Sequence, residues 1–311
     1  MDESARIEML ARILGASALG LEVGIGDDAA VLSAEHARGR IVWTIDEQVE
    51  GSHFRRDWLS WRDIGWRSFM AAASDLAAMG AAPWSSLCAL VLPDDVGDAA
   101  LEQIALGQRD ASAAVGAPVI GGNLARGATL SIATTLLGTC DRAVTRGGAR
   151  SGDALWMAGP IGLAAAGLRA LQAGRGCEPS FGDAVAAWRR PRALVSEGGA
   201  MGAVAHAAVD VSDGLARDAG HVAQASGVQL VIDEAALRSD RALNEAAAAL
   251  GVEPLDLALH GGEDYALVIA SPAPVEGFRP IGEVRSGRGL VLRSQSGERT
   301  LEARGFDHFR K

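Results

Sequence analysis

Apolar and polar positions along this chain fall into short blocks whose period switches between that of a strand and that of a helix. IVWTI (41–45) is rich in β-branched and aromatic residues and predicts a strand ending on Asp46. From Trp61 to Met79 the period lengthens. Trp61, Ile64, Phe69 and Leu76 contribute to one helical face, and alanines fill the rest. WSSLCALVLP (84–93) reads as a second strand, stopped by Pro93. Next, DAALEQIALGQRDASAAVG brings Leu101, Ile104, Ala105 and Gln108 to helical spacing, with Gly116 as the stop. PVIGG and TLSIATTLLG follow as strands. The order is βαββαβ-like, which predicts an α/β (α+β) sheet covered by helices on one face.

Gly and charge concentrate in DRAVTRGGARSG (141–152), a boundary that divides the chain into domains 1–141 and 142–311. Beyond it the pattern restarts. DALWMAG predicts a strand, IGLAAAGLRALQAG a helix ended by Gly174, and RALVSEGGAMGAVA a second helical region. HAAVDVSDGL is a strand running into a turn, LARDAGHVAQASG a helix and VQLVI another strand. Residues 174–190 read as a loop or short insertion. RSGRGLVLRSQSGERTLEARG reads as a hairpin with SG as its turn signal.

The length of 311 residues suggests about two domains, and with 49% hydrophobic and 22% charged residues the chain can bury a sizeable core without a staple. The net charge of −10 argues against a nucleic-acid groove or an anionic membrane surface. No run approaches the roughly 18 apolar residues of a membrane span, and MDESARIEML lacks the apolar core of a signal peptide. Cys88, Cys140 and Cys177 are odd in number and form no CxxC pair, so the expectation is reduced thiols in the cytoplasm rather than a disulfide framework or zinc site. The only lysine is Lys311, which excludes the P-loop, the strand lysine of protein kinases and Schiff-base chemistry.

Carboxylates stand where those lysines are missing. In GIGDDAAVL, Gly24 and Gly26 permit a tight turn that turns Asp27 and Asp28 towards a ligand, or a plain Gly-Asp turn. Asp46 is expected at the C-terminal edge of its strand, where open α/β sheets present ligand groups, with Glu50 and His53 beyond it. In SDLAAMG, Asp75 sits among Ala and Met, so it should face solvent, cap a helix or bind a metal. DVSDGL offers Asp210, Ser212 and Asp213 to a magnesium or phosphate site, with a helix N-cap as the alternative. GGNLARG and TRGGARSGD read as glycine-rich turns whose N–H groups and Arg126, Arg146 and Arg150 suit phosphate. HGGEDYALV places Glu263 and Asp264 in an acidic turn before a strand.

The ordered set GDDAAV, TIDEQVEGSHF, SDLAAMGA, GG-N, TR-GARSGD, DVSDGL and GGEDY resembles the thiamine-monophosphate kinase family, within the aminoimidazole-ribonucleotide synthetase-like superfamily. The likeness runs from about Gly24 to the GFDHF segment at 305–309. It implies a two-domain fold, with an N-terminal ATP- and magnesium-binding α/β domain whose sheet pairs across a homodimer, then a second α/β domain, with ATP between them. The implied activity is ATP-dependent phosphorylation of thiamine monophosphate to thiamine diphosphate in thiamine diphosphate biosynthesis, with several Mg2+ ions and no catalytic side chain of its own. By that resemblance Asp28, Thr44, Asp46, Asp75, Asn123, Asp210 and Asp213 are metal ligands. Gly122, Asn123, Arg146 and Ser212 contact ATP, and His53, Glu263 and Phe306 contact the substrate. Two departures stand out: Asn123 replaces the family's usual Asp after the glycine pair, and Phe306 stands where Trp or Tyr is common. The alternatives are another ATP-dependent synthetase of the superfamily or a non-catalytic nucleotide-binding paralogue.

Overall fold

The computed structural model describes residues 3–15, 19–23, 25, 30–33, 35 and 39–306. They divide into two units, one within residues 1–76 and 81–142 and the other formed by residues 77–80 and 143–311.

In the first unit, α1 (Glu3–Leu14) and the short antiparallel pair β1 (Leu21–Val23) and β2 (Val31–Leu32) precede the main sheet. The order then runs β3 (Arg40–Val49), α2 (Trp61–Ala78), β4 (Ala82–Leu92), α3 (Asp98–Val115), β5 (Val119–Arg126) and β6 (Ser131–Cys140). This is βαβαββ: each strand and helix expected here is present and in sequence, so the elements hold and only their βαββαβ-like grouping does not, while β5 runs on through GGNLAR. The four strands lie in the order β3-β6-β4-β5, antiparallel except for the β4–β5 pair. Period-two alternation splits β3 cleanly. Thr44, Asp46 and Gln48 share its shielded face, whereas Ile41, Trp43 and Ile45 are 58, 71 and 67% exposed on the other.

The helices pack through glycine. A Cβ at Gly65 of α2 would stand 2.0 Å from the Ile104 carbonyl oxygen, and one at Gly107 of α3 would stand 2.0 Å from that of Arg62. Only hydrogen fits there, so α2 and α3 meet backbone to backbone. The predicted α3 face holds: Leu101, Ile104, Ala105 and Gln108 are all fully buried. Gly116 ends the helix in the left-handed region (φ 77°), its N–H donating to the Ser112 carbonyl.

The second unit contains β7 (Ala154–Ala158), α4 (Leu163–Gln172), a 3-10 turn at Pro179–Phe181, α5 (Gly182–Arg189), α6 (Val195–Met201), β8 (Ala207–Val211) and α7 (Leu215–Ser226). There follow β9 (Gln229–Asp233), α8 (Glu234–Leu237), α9 (Arg241–Leu250), α10 (Pro254–His260), β10 (Ala266–Ser271), β11 (Arg279–Arg285), β12 (Gly289–Ser294) and β13 (Gly297–Leu301). Seven strands form one sheet, β13-β12-β9-β11-β7-β10-β8, antiparallel except where β12 meets β9. Every residue of β8 and β10 is buried, as expected of strands covered on both faces. The β12–β13 hairpin turns at Ser294–Gly297, as its SG signal predicts.

Residues 174–190 are not the loop expected. Most of the segment is helical, and Phe181, Ala184, Val185 and Trp188 are buried at i, i+3, i+4 and i+7. Gly167 of α4 lets the two helices close, since a Cβ there would lie 2.1 Å from the Ala184 carbonyl oxygen.

Candidate active site

In the first unit Thr44 and Asp46 share one face of β3, and Asp75 of α2 meets Thr44. The strand continues to Val49, so Asp46 lies inside it and not at its C-terminal edge as expected. Hydrogen bonding to β6 carries the strand past Asp46, which pairs with Thr134. Thr44 and Asp46 are two residues apart and share a face. The Thr44 hydroxyl donates to Asp75 Oδ2 at 2.5 Å, and Gln48 Nε2 donates to Asp46 Oδ1 at 2.9 Å. Asp75 sits near the end of α2, whose first residue is Trp61, so the helix-cap alternative for Asp75 fails. His53 accepts the Val49 N–H on Nδ1 at 2.9 Å, which leaves the proton of the neutral ring on Nε2.

Gly122 and Asn123 belong to strand β5, so the glycine-rich turn expected at GGNLARG is absent. Sterics explain the glycine: a Cβ at Gly122 would lie 1.8 Å from the Cys88 carbonyl oxygen of β4. Asn123 is exposed, and Arg126 pairs with Asp94 at 3.0 Å. Asp27 and Asp28 lie outside the described residues.

In the second unit the candidates meet at the turn between β8 and α7. Asp210 is the fourth residue of β8 and is buried; Ser212 and Asp213 follow the strand end. The N-cap alternative for Ser212 and Asp213 also fails. Gly214 occupies the cap, and the capping geometry runs in reverse. Asp218, one turn into α7, accepts the backbone N–H groups of Ser212 and Asp213 at 3.1 and 3.0 Å. Burial, and then the charges of Asp210 and Asp213, push the Asp218 carboxyl up to about 7 against the pull of those N–H groups. Arg217 Nε lies 3.6 Å from Asp213 Oδ2.

Arg146 sits in a pinned loop. Ser226 Oγ donates to the Arg146 carbonyl at 3.1 Å and accepts from Gly148 and Ala149 N–H, both at 3.1 Å. Arg146 also acts electrostatically on α7: burial, with the charges of Arg146 and Arg217, holds His221 below its ordinary value. Arg150 donates its backbone N–H to buried Asp153, which also meets His206 at 3.0 Å.

The GGEDY segment is strained and clamped. Glu263 and Tyr265 have φ of 67° and 51°, the left-handed region that side chains rarely adopt. Glu263 N–H donates to the Ser212 carbonyl at 2.7 Å and Tyr265 N–H to the Val211 carbonyl at 2.9 Å. Buried Asp264 accepts the Gly162 and Ala164 N–H groups at the start of α4, and Trp188 Nε1 donates to Glu263 Oε2 at 2.5 Å. Phe306 is 49% exposed, and its N–H donates to the Asp213 carbonyl at 2.9 Å. Ser212, Asp213, Glu263 and Phe306 are therefore joined through backbone bonds, although they are spread over about a hundred residues of sequence.

The fold thus brings Thr44, Asp46 and Asp75 together in one unit, and Asp210, Ser212, Asp213, Glu263 and Phe306 in the other. Among the described residues, no group of three or more His, Cys, Asp or Glu side chains is arranged to hold a metal ion by itself. Sequence reasoning missed Asp218, Trp188 and Gln48. Asp218 had a readable signal, since it occupies the stripe of Leu215, Ala219 and Val222 where an acid is costly.

Two family models match the chain: AIR synthase related protein, N-terminal domain, over residues 26–140, and its C-terminal domain over residues 150–294. A thiamine-monophosphate kinase of Mycobacterium tuberculosis is 39% identical over 275 residues, covering 87% of this chain and 81% of that protein. The solved structure of AaThiL complexed with AMPPCP and TMP superposes with a TM-score of 0.82 at 30% identity, covering 99% of this chain and 97% of that one. The thiamine-monophosphate kinase from Stenotrophomonas maltophilia K279a gives a TM-score of 0.81 at 33% identity, over 92 and 94% of the two chains. With the motifs, the fold and these relatives in agreement over nearly its whole length, the chain belongs to the thiamine-monophosphate kinase family of AIR synthase related proteins.

Proposed function

We propose that this protein transfers the γ-phosphoryl group of ATP to the phosphate of thiamine monophosphate, yielding thiamine diphosphate and ADP. The observation that carries the reading is the turn after β8, where Ser212 and Asp213 follow buried Asp210 and are held by Asp218, which accepts both of their backbone N–H groups. Asp210 and Asp213, with the Ser212 hydroxyl between them in sequence, supply oxygen donors of the kind that hard divalent cations take. Asp46, Asp75 and Asp28, with the Thr44 hydroxyl and the Asn123 amide oxygen, would hold magnesium on the first domain (1–141). Asp210 and Asp213 would do so on the second (142–311). Magnesium held there would neutralise phosphate charge and help to align donor and acceptor.

This chain's own residues bind and orient. Gly122 and Ser212 meet ATP through backbone and hydroxyl groups, and the Arg146 guanidinium takes its phosphates. His53, with its proton on Nε2, donates to the substrate, Glu263 accepts from it, and Phe306 packs against a ring. No general base is required. A phosphate monoester has a second pKa of about 6, so at neutral pH its dianion is already a nucleophile. The catalytic task is to hold two polyanions close and in line, which positioning and cationic charge together would accomplish. Abundant aspartates and the lack of an internal lysine suit that task.

The exposed Ile41, Trp43 and Ile45 support a homodimer in which a second copy covers this face of β3. No helix among the described residues is long and apolar enough to cross a membrane. We place the enzyme in the cytoplasm, where free thiols such as Cys88, Cys140 and Cys177 persist. A substrate panel tests the reading: ADP release with ATP, Mg2+ and thiamine monophosphate, but not with thiamine or a ribonucleotide amide. Release with the amide alone would assign the chain to synthetase chemistry.

A further inference from the structure

Trp188 lies in the segment 174–190, to which no function attaches, yet its side chain reaches the candidate substrate contact. It is 1% exposed on α5, and its indole Nε1–H donates to Glu263 Oε2 at 2.5 Å. Glu263 itself sits at φ 67°, its backbone tied to Ser212 and its neighbour Asp264 tied to the start of α4. The backbone is thereby fixed, but a Glu side chain keeps three further torsions, and the indole donor removes that freedom. Oε2 is the oxygen that receives the indole donor, so the hydrogen bond anchors the carboxylate at that atom. α5 is in turn seated on α4 through the Gly167–Ala184 contact, where a Cβ would lie 2.1 Å from a carbonyl oxygen.

We propose that Trp188 is a positioning residue for the substrate site: through its hydrogen bond it holds the Glu263 carboxylate in the rotamer that receives a hydrogen-bond donor of thiamine monophosphate. This rests on the kinase reading above and adds to it a role for the α4–α5 hairpin.

The test is a kinetic cycle on the full-length protein. Trp188→Phe keeps most of the buried ring and deletes the donor. The KM for thiamine monophosphate should rise about 10-fold, as expected for loss of one hydrogen bond to a charged group. The kcat and the KM for ATP should stay within about twofold, a split that a merely structural role would not produce. In a Glu263→Ala background the same substitution should add nothing. Should Trp188→Phe fail to fold, Gly167→Ala, which displaces α5 without touching the indole, should reproduce the KM effect and lose it in the Glu263→Ala background.

Additive effects, or an unchanged KM in Trp188→Phe beside a raised one in Glu263→Ala, overturn the proposal while leaving the kinase reading intact. If Glu263→Ala leaves the KM unchanged, Glu263 is no substrate contact and the proposal falls with that assignment alone. Absence of turnover in the unsubstituted enzyme overturns both.

Discussion

Asp75 and Asp210 separate a ligand role from a structural one. Asp75→Asn keeps an oxygen acceptor for the Thr44 hydroxyl, and Asp210→Asn removes a charge that raises Asp218. Neither change should harm the fold, yet each should cut turnover by about 100-fold or more at saturating ATP. Thermal unfolding and steady-state rates check this together, and a variant that kept most of its activity would refute the ligand assignment for that residue. Asn123 is the departure from the family pattern. It is exposed on β5, and a neutral amide attracts a cation less than a carboxylate at the same distance. Asn123→Asp should therefore lower the magnesium concentration giving half-maximal rate; an unchanged titration would mean that the side chain faces no ion. The motifs named most candidate ligands because each keeps its acids within a few residues. They do not include Asp218, which only its place in the apolar stripe of α7 signals and whose partners are set by a helix turn folding back over its own N-terminus.

The same distinction holds for the secondary structure. Strands and helices with one apolar face, such as α3 and the β12–β13 hairpin, were legible from periodicity. The end of β3 was not, because its pairing with β6 is set by a distant strand. Residues 174–190 carried the i, i+3, i+4, i+7 pattern of Phe181, Ala184, Val185 and Trp188, masked by glycine, proline and charge around it. Packing through glycine is a tertiary property as well. Gly107→Ala must push α2 and α3 apart, at a cost of about 1–3 kcal/mol, visible as a lower melting temperature. Asp264, which ties the GGEDY segment to α4, gives stability a pH dependence. Its carboxyl rises to about 7 in the fold, chiefly through burial, whereas an unfolded Asp titrates near about 3.9. The folded state holds the proton more tightly, so this contribution is complete below about pH 4 and is lost as pH rises towards 7. Melting curves of Asp264→Asn should show a shallower fall over that interval than those of the parent; parallel curves would contradict the burial argument.

Taken whole, the protein leaves three large apolar side chains of β3 exposed, an arrangement that monomers rarely keep. The proposed homodimer predicts a dimer mass by light scattering that Trp43→Glu reduces to a monomer mass; a mass that the substitution leaves unchanged would contradict an interface on this face. The magnesium sites proposed on both domains predict that chelation abolishes activity and that restoring Mg2+ recovers it. The most direct measurement follows the phosphoryl group itself. Purified enzyme, ATP labelled with 18O in its γ-phosphoryl group, Mg2+ and thiamine monophosphate are combined, and the products are separated and weighed by mass spectrometry. Direct transfer predicts thiamine diphosphate carrying the label in its terminal phosphoryl group, formed in equal amount to ADP. ADP and labelled inorganic phosphate with no thiamine diphosphate would contradict the account.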